Sequence, residues 1–246
     1  MPAISSIIVS NAISEPLFEG GGHSRTLTVK RHPRARSYRL RVDPRDGRVL
    51  LSLPQRASLA KARIWAETQR EWIEAQLARL PAPRPITAKT AIPYRGGELL
   101  IDWSRHYPRR PEKTGDRLRL GGPEDAIARR VLRWLQGEAR RILNDETLSY
   151  AQLAGVEIGT VSIGDARSRW GSCAASGNIR YSWRLVMAPA AVLSATVAHE
   201  VAHRVHMNHG PEFHALVAKL FGRDPAPERS WLRENGAALY WAGSSS

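Results

Sequence analysis

Apolar and polar residues alternate through the first quarter of the chain, which is the period of a β-strand. Between residues 25 and 54, Tyr38, Leu40 and Val42 fall on one face of a strand, DPRDG (residues 43–47) is a turn, and VLLSL continues as a second strand. This pattern predicts a small antiparallel sheet. The positions predicted to point outwards from it include Arg36, Arg39 and Arg41.

Apolar residues then recur every three or four positions, the period of an amphipathic helix. This spacing predicts a helix over residues 58–80, with Ser58 as its N-cap, and a stiff proline-rich linker, PAPRP, after it. Two weaker β segments and a long helix are predicted next, over residues 98–103, 117–120 and 126–153.

In the last third of the chain, short strands over residues 156–163 and 178–186 are predicted on either side of GDARSRWGSCAASG. A helix begins at Pro189, the Gly210-Pro211 pair ends it and starts another, and a last helix covers residues 226–241. The first of these helices has an apolar stripe formed by Leu193, Val197, Val201 and Val205.

These elements predict an α+β protein with a small N-terminal antiparallel β domain that carries a helix, followed by a compact second domain. We expect a loose N-terminal segment over residues 1–24, a basic β-rich domain over 25–120 and the chemically active domain over 121–246. A chain of 246 residues that is 42% hydrophobic can bury the core that this fold requires.

Composition and sequence features indicate the cellular compartment in which we expect the protein. Cys173 is the single cysteine, so an internal disulfide is excluded. The N-terminus lacks the features of a signal peptide, and no run of about 18 apolar residues exists to span a membrane. We therefore expect a cytoplasmic protein without a membrane partner.

The net charge of +14 is unevenly distributed. Residues 1–125 carry 23 basic and 13 acidic side chains, whereas residues 126–246 carry 14 and 10. A nucleic acid that binds the basic N-terminal domain is one explanation. A solvated surface in an arginine-rich chain is the other, and it is the more common one.

The candidate chemistry lies in VAHEVAHRVHMNHGPEFH, residues 197–214, which holds five of the eight histidines. His199, Glu200 and His203 form an HExxH sequence on a predicted helix. Histidines four residues apart share one helix face and can bind one zinc ion. Glu200 would act as the general base on a zinc-bound water and later pass the proton to the leaving group.

A catalytic zinc site usually has a third protein ligand, for which His206, His209, Glu212 and His214 are candidates. His206 lies further along the same helix face, so its ring is poorly placed to complete a tetrahedral site. We favour His209, because a loop residue can approach the ion from another direction. Its spacing from the first two histidines equals that of HExxHxxGxxH, although His206 replaces the glycine of that motif.

The segment from SRWGSC through NIRYSWRLV to HEVAH and NHGPEF resembles the YgjP-like metallopeptidase family, which is similar to SprT-like and WLM zinc peptidases. The resemblance covers about residues 25–240. It implies a zincin fold with His199, His203 and His209 on zinc and Glu200 as the catalytic residue. His214 and Trp183 depart from the family's usual aromatic residue and asparagine, and Trp183 could alter the lining of the cleft.

The resemblance also implies that NIRYSWRLV is an edge strand, with which an extended peptide can pair. Simple packing explains the same residues equally well. Arg169 either binds a carboxylate or phosphate of the substrate or ties two loops together. The full set of candidate substrate-binding residues is Arg169, Trp170, Tyr181, Trp183 and His206.

Together these features predict a zinc-dependent metallohydrolase, and a peptidase is the leading hypothesis. A peptide or protein would be the substrate. The first alternative is a metal-dependent phosphohydrolase that acts on nucleotides, since arginines suit phosphate groups. The second is a nucleic-acid-associated protease that its basic N-terminal domain recruits to a bound partner.

Overall fold

A computed structural model describes residues 16–243, which divide into two compact units between Ala82 and Pro83. The sequence analysis placed this boundary after residue 120. The segment between the two positions belongs to the second unit because its apolar residues join that unit's core. Ile92, Ile101 and Leu118 are buried in the same hydrophobic cluster as the residues of the following long helix.

Four strands and two helices form the first unit: β1 (Leu17–Gly20), β2 (His23–His32), β3 (Arg39–Val42), β4 (Val49–Pro54), α1 (Leu59–Thr68) and α2 (Arg70–Ala78). The strand order is β1-β2-β4-β3. The β3–β4 hairpin is antiparallel, as predicted, but β2 and β4 are parallel. The sheet is therefore mixed rather than antiparallel, because β4 lies between β2 and β3 and runs in the direction of β2.

The start of the first unit differs from the expected loose segment. Residues 1–15 of that segment lie outside the described residues. Residues 17–20 form β1, and β2 already begins at His23. Phe18 is completely buried in the core of this unit, which gives the segment a reason to be ordered.

The helix predicted over residues 58–80 is interrupted. Ser58 is the N-cap of α1, as predicted, and its hydroxyl accepts a hydrogen bond from the Lys61 amide at 3.4 Å. At Gln69 the backbone leaves the α-helical region (φ −99°, ψ 13°), and the Gln69 amide bonds to the Ala66 carbonyl, three residues back. The chain continues as a second helix, α2.

Three arginines that the pattern predicted to point outwards are all exposed: Arg36, Arg39 and Arg41. In the neighbouring strand, alternate residues are apolar and face the core. Val49, Leu51 and Leu53 of β4 are completely buried. The period-two pattern thus separates a charged surface from the core of the first unit.

The second unit contains two sheets and four helices. Its elements are β5 (Ala91–Tyr94), β6 (Gly97–Trp103), β7 (Glu112–Thr114), β8 (Arg117–Leu120), α3 (Ile127–Ala154), β9 (Val161–Gly164), β10 (Gly171–Cys173), β11 (Ile179–Ser182), α4 (Ala190–Ala202), α5 (Pro211–Phe221) and α6 (Ala226–Asn235). The sheet orders are β5-β6-β8-β7 and β10-β11-β9. Among the described helices of the protein, none combines the length and apolarity needed to cross a membrane.

The α+β class is confirmed, and most of the predicted apolar stripe of α4 is buried. On α3, the apolar residues Ile127, Val131, Leu135 and Ile142 are buried, and Trp134 is half-buried. On α4, Leu193, Val197 and Val201 are buried, whereas Val205 is 47% exposed because the helix ends at Ala202. This burial holds α4 in the core and determines which of its faces is left for chemistry.

Candidate metal centre

Helix α4 carries the first two histidines of the motif at its C-terminal end. His199 lies in the last turn, and His203 is the C-cap residue that directly follows the helix. The two ring centroids are 5.0 Å apart, as expected for side chains one turn apart on one face. Both rings are partly exposed, whereas the opposite, apolar face of α4 is buried.

The chain turns back after α4 and brings His209 to the same place. The turn begins with a hydrogen bond from the His206 amide to the Ala202 carbonyl at 3.0 Å, and α5 begins at Pro211. As a result, His209 Nε2 lies 3.2 Å from His199 Nε2. One nitrogen from each of His199, His203 and His209 lies within 4.8 Å of the other two.

This arrangement fits a tetrahedral metal ion. Nitrogen ligands at the usual zinc distance are about 3.3 Å from one another in a tetrahedron, close to the observed separation of the His199 and His209 nitrogens. The Nδ1 atom of His203 lies 3.0 Å from the carbonyl oxygen of His206, to which it can only donate. Its proton is therefore on Nδ1, and Nε2 keeps its lone pair for a metal.

Phe213 packs against the rings of all three histidines. It is completely buried on α5, and its centroid lies 4.9 Å from that of His199, 4.5 Å from His203 and 4.7 Å from His209. The sequence analysis did not single out Phe213 as a functional residue. The available signal was its place in NHGPEF, four residues after His209.

The environment favours neutral imidazoles, which is the form that binds a metal. Burial, reinforced by the neighbouring His203 and His209, lowers the pKa of His199 to about 4. Burial also lowers the pKa of His203. At neutral pH these rings therefore need not lose a proton before they bind an ion.

Glu200 lies beside this group and is only 6% exposed. Burial raises the pKa of its carboxyl to about 7, against the opposing effects of the Arg169 charge and a hydrogen bond from the Cys173 backbone. Gly171 makes room for the carboxylate, because a Cβ atom there would lie 2.5 Å from Glu200 Oε1. Glu200 is thus held against β10 with a pKa suited to exchanging a proton near neutrality.

Arg169 and Trp170, two of the predicted substrate-binding residues, line a cavity of 270 Å³ that also borders His199 and Glu200. Arg169 is exposed at its rim. Trp170 packs against Tyr240, with their ring centroids 5.8 Å apart. The structure therefore brings these two residues to the candidate centre.

The structure places Tyr181 and Trp183 elsewhere. Tyr181 is 1% exposed, and its hydroxyl lies 3.0 Å from Thr147 Oγ1 in the core. Trp183 is buried in the 3₁₀ turn that follows β11, because the predicted strand 178–186 ends at Ser182. Neither side chain borders the cavity beside His199. Their positions support a packing role rather than contact with substrate.

The edge of the three-stranded sheet also differs from the expectation. β11, the first part of NIRYSWRLV, is the central strand, with β10 and β9 on either side. β10 is an edge strand, and its Gly171 touches Glu200. A peptide that pairs with the strand nearest the centre would therefore add to β10.

The other two histidines of the cluster point away from the three rings. His206 contributes its carbonyl to His203, while its own Nδ1 lies 3.8 Å from the Glu212 carboxylate. The ring of His214 is 6.4 Å from that of His209 and is exposed. Within the part of the chain that the structure describes, His199, His203 and His209 are the residues grouped closely enough to hold a metal.

We expect the Tyr181→Phe substitution to lower the free energy of unfolding by about 1 kcal/mol and to leave unchanged the peptidase activity that the sequence predicts. The Thr147 hydroxyl donates to the Leu143 carbonyl at 2.6 Å, so Tyr181 donates to Thr147. Denaturant unfolding and a peptide assay measure the two effects. Thr147→Val is the matched partner for a double-mutant cycle. A tenfold loss of activity without loss of stability would instead place Tyr181 in substrate binding.

Comparison with known proteins identifies the family. The sequence model described as YgjP-like, metallopeptidase domain, matches residues 36–235, a range that includes every residue of the candidate centre. No curated protein and no solved structure gives a significant match. Since the family match covers well over half of the chain, the protein belongs to the YgjP-like metallopeptidase domain family.

Proposed function

We propose that this metallopeptidase is a zinc enzyme that hydrolyses peptide bonds and uses Glu200 as its general base. One observation carries the proposal: three imidazole nitrogens from His199, His203 and His209 converge within 4.8 Å beside a buried glutamate of the same helix. Three imidazole nitrogens suit zinc, whereas magnesium and calcium prefer oxygen ligands.

When bound, zinc would supply a Lewis acid that polarises the scissile carbonyl and lowers the pKa of a coordinated water. The remaining work belongs to the chain. The Glu200 carboxylate would accept the proton of the attacking water and deliver it to the nitrogen of the leaving amine. Because burial raises the pKa of Glu200 to about 7, both transfers are accessible near neutral pH.

The surroundings of the centre favour a peptide over a nucleotide. The cavity beside Glu200 is bordered largely by apolar residues, among them Val192, Val217 and Leu232. A nucleotide would need donors for several phosphate oxygens, whereas Arg169 and Arg229 are the two arginines that line this largely apolar cavity. Phosphate-ester hydrolysis is therefore the alternative to exclude rather than a second proposal.

A substrate panel tests the proposal. We expect the purified zinc-loaded protein to cleave internally quenched peptides and to leave nucleoside triphosphates intact. A chelator should abolish cleavage, and added zinc should restore it, since no described residue outside the three histidines completes another such site. Release of phosphate without peptide cleavage would overturn the proposal, and so would peptide cleavage that survives complete removal of the metal.

A further inference from the structure

We infer that the cavity beside His199 and Glu200 binds an apolar side chain of the substrate, and that Arg169 and Arg229 at its rim bind a carboxylate of the same peptide. This inference rests on the proposed peptidase function and names its substrate class. We call the space the side cavity. Its apolar lining consists of Trp170, Val192, Ala195, Val217, Pro225 and Leu232.

The side cavity is built on the face of α4 that leads to the metal centre. Val192, Ala195 and Thr196 precede His199 at helical spacing and line the cavity with it. The hydroxyl of Thr196 donates to the Val192 carbonyl at 2.9 Å, so this polar atom is already paired within the helix. A substrate side chain in the cavity therefore lies directly beside the reacting atoms and meets few polar atoms that lack a hydrogen-bond partner.

The opposite wall comes from α5 and α6. Val217 and Pro225 are buried, and Leu232 is half-buried. Glu228 also lines the cavity, but its carboxylate is paired with Arg223, whose Nη1 lies 3.0 Å from Glu228 Oε2. This pairing removes the net charge that would oppose an apolar occupant.

The size of the cavity selects a single side chain. Its volume of 270 Å³ lies just below the range of about 300–1,000 Å³ that is typical of sites for whole small molecules. Burial of a leucine or phenylalanine side chain in such a space is favourable relative to water, because it removes apolar surface from solvent. A polar or charged side chain would lose its hydration without gaining partners.

The rim adds a charge requirement. Arg169 and Arg229 are both exposed and both line the cavity. Arg229 makes an exposed contact with Asp224 at 3.5 Å, a pair that contributes little. Arg169 is exposed, and its charge acts on Glu200 at the centre. The two guanidinium groups are therefore available to a substrate carboxylate, which is either the C-terminal carboxylate or an acidic side chain near the bound apolar residue.

The test measures binding and turnover separately. One set of peptides would differ in the residue directly after the scissile bond, which is leucine, phenylalanine, serine or lysine. Each of these peptides would be made with three C-terminal ends: a free carboxylate, an amide, and an amide preceded by glutamate. Fluorescence anisotropy with the zinc-loaded Glu200→Gln protein would report the affinity without cleavage, and the wild-type protein would report kcat and KM.

We expect leucine and phenylalanine peptides to bind at least about tenfold more tightly than serine or lysine peptides. Arg229→Ala and Arg169→Ala should each reduce the ratio between carboxylate and amide peptides by about tenfold, mainly through KM. Comparison of the free C-terminus with the internal glutamate identifies the source of the carboxylate. Leu232→Phe, which fills the cavity, should reverse the preference for a large apolar residue.

Arg233→Ala is the matched control. Arg233 lies one turn beyond Arg229 on α6, is exposed, bonds to Ser230 and does not line the cavity. Equal affinity for apolar and polar peptides, or an Arg229→Ala ratio equal to that of Arg233→Ala, would overturn the inference while peptide hydrolysis itself persisted. Absence of all hydrolysis by the zinc-loaded wild type would overturn the proposed function and this inference together.

Discussion

Glu200→Gln is expected to lower peptide turnover by about a thousandfold, within the contribution of 10²–10⁴ that a positioned general acid-base provides. Glutamine has nearly the same shape as glutamate but cannot accept a proton at neutral pH. His199, His203 and His209 are unchanged in the variant, so its zinc content should equal that of the wild type. Steady-state hydrolysis of a quenched peptide and metal analysis of the same sample measure the two quantities.

Stability provides the control for this variant. Burial raises the pKa of Glu200 to about 7 from an ordinary value of 4.5, so the folded metal-free protein favours the protonated carboxyl. Ionisation of Glu200 therefore costs stability, and this cost grows as the pH rises from 4.5 to 7. Glutamine avoids the cost, so the metal-free variant should be at least as stable as the wild type at pH 8. Hydrolysis at the wild-type rate by a folded, zinc-loaded variant would exclude Glu200 as the base.

His209→Ala is expected to weaken zinc binding by at least about a hundredfold, since loss of an outer partner of a ligand alone costs 10–100-fold. His209 Nε2 lies 3.2 Å from His199 Nε2, and without it two ligands from one helix remain. Competition with a chromogenic chelator gives the dissociation constant. Activity should fall with zinc occupancy.

His206→Ala and His214→Ala are the matched controls. His206 orients His203 through its backbone carbonyl, which alanine also supplies, and the His214 ring lies 6.4 Å from that of His209. Both variants should therefore keep zinc. Wild-type affinity in His209→Ala would exclude His209 as a ligand, and loss of zinc in His214→Ala would point to a different third ligand.

Local patterns in the sequence predicted the parts of the structure that depend on near neighbours. The stripe of Leu193, Val197 and Val201 is buried, and the HExxH spacing puts His199 and His203 on one face of α4. Ser58 caps α1 through a contact three residues away. In each case the periodicity of one helix is enough to decide the outcome.

Pairings between distant segments were harder to predict. The parallel alignment of β2 and β4 depends on which strand lies beside which, and alternation along each strand is the same for both directions. The residue types of Tyr181 and Trp183 suit a cleft and a core equally well. Residue type therefore does not show which of the two these side chains line. Only the position of β11 between β10 and β9, and the contact of Tyr181 with Thr147, show that Tyr181 belongs to the core.

The same distinction between local patterns and distant contacts applies to the candidate metal centre. Residue type and spacing within residues 199–209 were sufficient to single out three histidines and Glu200, because imidazole chemistry and helix geometry are local properties. The residues that surround these four side chains could be identified only from the tertiary structure. They are Phe213 against the histidine rings, the Gly171 backbone against Glu200, and Arg229 of α6 at the side cavity. These contacts join α4 to β10 and to helices α5 and α6, and only the packing of these elements in the second unit determines which side chains meet there.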